Sequence, residues 1–159
     1  MNEKVVYSTY CRVMTISITL VLAAICIFVA ANARWGEFSL ILLILMAIIG
    51  FSMFYAPLRV TADEHGICIR RLLGKKFIPY SEITSVRMSP PTMGAYRACG
   101  SGGYCGYWGW YNEGDTGRYF AYYGKASDCF LVTLHNNRKY LIGCNNGAGM
   151  CYYINQHIV

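Results

Sequence analysis

Two long apolar stretches dominate the first third of the chain. Val13–Ala33 runs for 21 residues and Phe38–Ala56 for 19, neither containing a charged side chain. At about 1.5 Å per helical residue, each run is long enough for a hydrocarbon core roughly 30 Å thick. Beyond scattered Ser and Thr, neither has the polar face shown by helices packed on a globular core. The pattern predicts two membrane-spanning helices, over 13–33 and 38–56. Only Arg34, Trp35, Gly36 and Glu37 separate them, which demands an antiparallel hairpin with both chain ends on one side. Ala31-Asn32-Ala33 also fits a small-residue cleavage site, but the run is long for a signal peptide and cleavage would leave the second span almost at the new terminus.

From Pro57 the pattern changes to short alternating runs broken by turn residues, which predicts a strand-rich domain. Strands are expected over Leu58 to Thr61, Ile67 to Leu72 and Lys76 to Pro79, and from Tyr80-Ser81-Glu82-Ile83 through Met88. Further strands follow over Arg118 to Tyr123, Cys129 to Leu134 and Lys139 to Gly143. Gly74 marks a turn, and Asn136-Asn137 tolerates the positive φ of a tight hairpin. Asn145 or Asn146 can cap a closing helix in which Met150, Ile154 and Ile158 recur at intervals of four and face the sheet. The chain therefore divides into a helical hairpin over 1–57 and an α+β module over 58–159.

Charge sets the orientation. Lys4 and Arg12 precede the first span and Arg59, Arg70, Arg71, Lys75 and Lys76 follow the second, against Arg34 alone between them, so the positive-inside rule places both termini in the cytoplasm. Thr15, Thr19 and Ala23 form a small-residue stripe along the first span that another helix could approach. Of the eight cysteines, six follow Pro57: reduced thiols in a cytoplasmic domain, disulfides if it faced an oxidising compartment.

The stretch CGSGGYCGYWGWYNEGDTGRYF, from Cys99 to Phe120, invites chemical readings. A phosphate loop needs amides at a strand-to-helix junction and a following Lys-Ser/Thr, whereas Gly103, Gly106 and Gly109 recur by threes before a strand. Zinc pairs are usually two to four residues apart; five separate Cys99 from Cys105 and six separate Cys144 from Cys151, and His65, His135 and His157 are scattered. No catalytic motif, metal site or cofactor fingerprint remains, so a non-catalytic protein is expected. The stretch is read as curved scaffold, with a binding or membrane-contacting surface as the other reading; Trp108 and Trp110 are its candidate docking residues.

The order LRVTADEHGICIRRLLGKKFIPYSEITSV, then the aromatic-glycine insert, then FLVTLHNNRKYLIGCNNGAGMCYYINQHI, resembles the bacterial pleckstrin-homology (PH) domain family, in particular small membrane proteins with a preceding two-helix hairpin. The resemblance covers essentially the whole chain. It implies a strongly bent antiparallel sheet of about seven strands closed by the C-terminal helix. Such proteins often read like Ser-Pro-x-x-Pro-Glu before that helix, where this chain has Cys144-Asn145-Asn146-Gly147-Ala148-Gly149. The implied function is that of an inner-membrane protein whose cytoplasmic domain binds a protein partner, including a second copy of itself, or helps assemble an envelope complex. The alternative is recognition of anionic lipid headgroups by Arg70, Arg71, Lys75 and Lys76, in a domain carrying eleven basic residues against six acids. Nucleic-acid binding does not suit a tethered domain of so modest a charge.

Overall fold

A computed structural model describes residues 1–32 and 35–158, with the side chains of residues 35–37 left aside. Arg34, which enters the charge argument, lies outside the described residues. Three residues at the start, Asn2–Lys4, form strand β1, ahead of helices α1 (Thr9–Asn32) and α2 (Trp35–Tyr55). Helix α1 begins four residues before the expected span because Ser8 caps it, its Oγ accepting from the Cys11 amide at 3.2 Å. Both helices leave their apolar side chains uncovered: Ile27 is 71% exposed and Leu43 67%. Neither is buried as the core helix of a soluble domain is, and both are long and apolar enough to cross a membrane.

After α2 come β2 (Pro57–Ala62), β3 (Gly66–Arg71), β4 (Lys75–Pro79), a 3-10 turn over Tyr80–Glu82 and β5 (Ile83–Met88). The glycine-aromatic stretch supplies β6 (Tyr96–Gly103), β7 (Gly106–Glu113) and the start of β8 (Gly117–Tyr123). Strands β9 (Cys129–Leu134) and β10 (Lys139–Gly143) and helix α3 (Gly147–Asn155) complete the chain. They form a four-stranded sheet ordered β1-β2-β3-β4 and a six-stranded sheet ordered β5-β9-β10-β8-β7-β6. All neighbours are antiparallel except β8 and β10. The expected α+β plan of helical hairpin, sheet domain and C-terminal helix is present, but as a four-stranded and a six-stranded sheet with one parallel pair rather than a single bent antiparallel sheet of about seven strands; the added strands are β1 and the β6–β7 hairpin of the glycine-aromatic stretch.

One core fills the space between the sheets: Val60, Ile67 and Ile69 from one side, Val86, Phe130, Val132 and Ile142 from the other, with Met150 and Ile154 of α3. Asn146 caps α3, its Oδ1 accepting from the Gly149 amide at 2.9 Å. Gly147 follows the cap because a Cβ there would lie 2.3 Å from the Asp128 carbonyl oxygen, which explains the glycine-rich departure at this position. The hairpin of β6 and β7 depends on another close approach. Gly100 and Gly109 face each other across the strands with φ of +130° and +116°, and a Cβ on either would lie near 2.1 or 2.2 Å from the opposite backbone oxygen. Only glycine fits such a pair. The outer face of the six-stranded sheet carries a second cluster, including Tyr111, Tyr119, Tyr123 and Leu131. The buried Glu113 ties the loop at Thr92 to this sheet by accepting from the Thr92 amide at 2.8 Å and from its hydroxyl. All eight cysteines are free thiols, four of them buried.

Candidate membrane-proximal binding surface

The domain is docked onto the helices rather than hung from them. Strand β1 pairs with β2, Asn2 opposite Thr61 and Lys4 opposite Arg59, and Val5 enters the main core. Both the N-terminal strand and the domain therefore lie at one end of the hairpin. The Ser8 amide donates to Gly124 O at 2.9 Å, and the Tyr7 hydroxyl donates to Pro57 O. At the β6–β7 turn, Thr15 Oγ1 accepts from the Cys105 amide at 3.0 Å. Thr15, the first residue of the small-residue stripe, thus holds the domain instead of a neighbouring helix.

The basic turn between β3 and β4 lies where α2 ends. The Leu72 amide donates to Ala56 O at 3.2 Å. The Arg71 guanidinium sits 4.7 Å above the Phe54 ring and 5.6 Å from that of Tyr55, on the last turn of α2. Cross-strand pairing sets Arg70 opposite Lys75 and Ile69 opposite Lys76, which collects the four predicted cations at one end of a hairpin. Leu72 and Leu73, exposed at its tip, stand between them. Arg71 Nε is buried without a hydrogen-bond partner among the described residues. Nearby, burial pushes the Tyr122 hydroxyl up to about 12, with Arg71 pulling the other way.

The two candidate tryptophans part company. Trp108 is 5% exposed, stacked on Tyr55 at 5.4 Å and edge-on to Phe51 at 5.7 Å, so it fastens the sheet to α2 and is not part of the free surface. Trp110 is half-buried, edge-on to Phe120 at 5.2 Å, with the Arg118 guanidinium 4.5 Å from its ring. Around it opens a basin of about 430 Å³, lined also by Asn137, Arg138, Lys139 and Tyr140. Lys76 reaches toward it, its Nζ 5.8 Å from the Tyr140 ring.

Sequence reasoning missed this basin because its cations come from separate runs, joined by the parallel pairing of β8 with β10. The exposed leucines carried a signal that was available: two large apolar residues inside a run of four cations. Among the described residues, no three His, Cys, Asp or Glu side chains converge as metal ligands. No curated protein and no solved structure matches the chain. A sequence profile described as "Bacterial PH domain" matches residues 58–158, the whole of the module that follows the hairpin. Behind its two apolar helices, this chain belongs to the bacterial PH domain family.

Proposed function

We propose that the chain is a non-catalytic inner-membrane protein, both termini cytoplasmic, whose PH domain is held against the bilayer to engage anionic lipid headgroups. The carrying observation is the basic turn docked on the end of α2. With Leu72 bonded to Ala56 and Arg71 stacked over Phe54 and Tyr55, a bilayer surrounding α2 brings Arg70, Arg71, Lys75 and Lys76 to the headgroup layer. Leu72 and Leu73 then dip beneath them. Each such cation contributes about 1 kcal/mol near an anionic surface. Native mass spectrometry of the full chain tests this: the protein should retain more anionic lipid molecules per chain than the variant in which all four cations become Gln. Equal retention by both proteins would remove the headgroup reading.

A protein partner is the second reading, carried by the Trp110 basin. Arg118, Arg138 and Lys139 converge there beside two aromatic rings, and none has a carboxylate partner, since the one ion pair among the described residues is Lys125 with Asp128. Such a surface suits an acidic segment of another chain. Arg118→Glu with Arg138→Glu should abolish co-purification of that partner from mildly solubilised membranes and leave lipid retention intact. Unchanged co-purification would exclude the basin.

A further inference from the structure

A notch of about 410 Å³ opens between the first two turns of α1 and the base of the domain. Cys11, Arg12 and Ile16 line it on the helix side, Leu58 and Leu72 on the domain side, and Tyr7 at its inner end. Since α1 becomes continuously apolar at Val13, the notch runs from the headgroup layer, where Arg12 stands, into the hydrocarbon region, where Ile16 is 61% exposed on the lipid-facing surface.

Its chemistry excludes a stable filling of water, which needs two to four polar partners. The polar groups that line it are already engaged: the Tyr7 hydroxyl with Pro57 O, Thr15 Oγ1 with Cys11 O and the Cys105 amide, and Cys11 Sγ with Gly124 O. Arg12 is the exception. It is exposed at the rim and has no carboxylate partner, the one ion pair among the described residues lying at Lys125 and Asp128. An apolar slot continuous with the lipid-facing helix, with one free guanidinium at its mouth, matches an amphiphile bearing an anionic head.

We propose that the notch is a binding site for a single anionic phospholipid, one acyl chain lying between α1 and Leu58 and its phosphate paired with Arg12. The site borders the basic turn at Leu72 but uses none of its four cations, and it does not depend on the headgroup reading given above. A lipid seated here touches α1, β2 and the β3–β4 turn together, and so joins the domain to the hairpin.

The test uses the delipidated full chain in mild detergent, with native mass spectrometry for lipid retention and thermal unfolding as a second readout. The probes are phosphatidylglycerol, phosphatidylcholine with the same acyl chains, and glycerol 3-phosphate as the bare headgroup. The wild-type chain should retain phosphatidylglycerol in preference to phosphatidylcholine, gain a few degrees in unfolding midpoint, and ignore glycerol 3-phosphate. Arg12→Gln should hold one phosphatidylglycerol fewer than the wild type. Leu58→Trp and Ile16→Trp, both at exposed positions where a larger side chain fills the notch without entering the core, should abolish retention of this lipid. The chain with Arg70, Arg71, Lys75 and Lys76 changed to Gln should lose the lipids held by the basic turn and keep this one, which Arg12→Gln in that background should remove. Retention that survives both tryptophan variants, a wild type indifferent to headgroup charge, or equal binding of glycerol 3-phosphate would each overturn the proposal.

Discussion

Replacing Gly109 by Ala tests the account of the glycine-aromatic hairpin at its tightest point. Gly109 has φ of +116°, and its Cβ would lie 2.2 Å from Cys99 O and 2.6 Å from the Gly100 Cα. These are backbone atoms of the paired strand, so no side-chain rotation relieves the contact. Holding a non-glycine residue at such a φ costs about 1–3 kcal/mol, and forcing a methyl into a packed site about 1–3 more. The sum, about 2–6 kcal/mol, is a large share of the roughly 5–15 kcal/mol that keeps a domain folded. At about 4–8 °C per kcal/mol for a domain near 100 residues, the unfolding midpoint should fall by at least about 8 °C. The assay is thermal unfolding of the full chain in detergent, followed by the near-ultraviolet circular dichroism of its tryptophans and tyrosines. The full chain is needed because β1 and Val5 complete the domain from the N-terminal side of the hairpin. Gly114→Ala is the control, with open space around its Cβ and no positive φ. Equal midpoints for Gly109→Ala and Gly114→Ala would refute the reasoning and show the hairpin to be a yielding loop.

Trp108→Ala should cost about 3–5 kcal/mol, since that ring is buried between the sheet and α2, whereas half-exposed Trp110→Ala should cost under about 1 kcal/mol; unfolding midpoints of the two variants make the comparison. Alkali should unfold the domain. Burial raises Tyr80, Tyr111 and Tyr122 from 10.0 to about 12 and Cys144 from 9.0 to about 12. The folded state thus holds protons that the unfolded chain has released, so these groups make stability fall as pH rises from about 9 toward 12 and contribute no slope below that window. A pH series of unfolding midpoints checks the sign. For topology, an impermeant amine reagent on intact cells should leave Lys75, Lys76 and Lys125 unmodified, and their labelling would reverse the orientation.

The two long helices were legible because an unbroken apolar run admits few other structures, and β9 and β10 because alternation and an asparagine turn agree locally. Asn137 indeed has φ of 59°. Strands β6 and β7 were not legible: their glycines carry low strand propensity, and the pairing of Gly100 with Gly109 is a property of two backbones rather than of any local pattern. Strand β1 is three polar residues, and its place beside β2 is settled across the intervening helices. Leu72 looked like the end of a strand, yet it lies at the exposed turn, because Gly74, with φ of +100°, reverses the chain there. The four cations of that turn could be named from sequence. Their position at the mouth of α2 could not, since it follows from the Leu72–Ala56 bond and the stacking of Arg71 on Phe54.

The central claim, that the basic turn lies in the headgroup layer on anionic lipid, is tested most directly by photocrosslinking from its tip. A benzophenone-bearing residue at Leu73, in full chain reconstituted into vesicles of mixed phosphatidylglycerol and phosphatidylcholine, should yield lipid adducts enriched in phosphatidylglycerol over its share of the bilayer. The enrichment should vanish when Arg70, Arg71, Lys75 and Lys76 are changed to Gln. Absence of lipid adducts at Leu73, or adducts that simply mirror the bilayer composition in the unaltered turn, would contradict it.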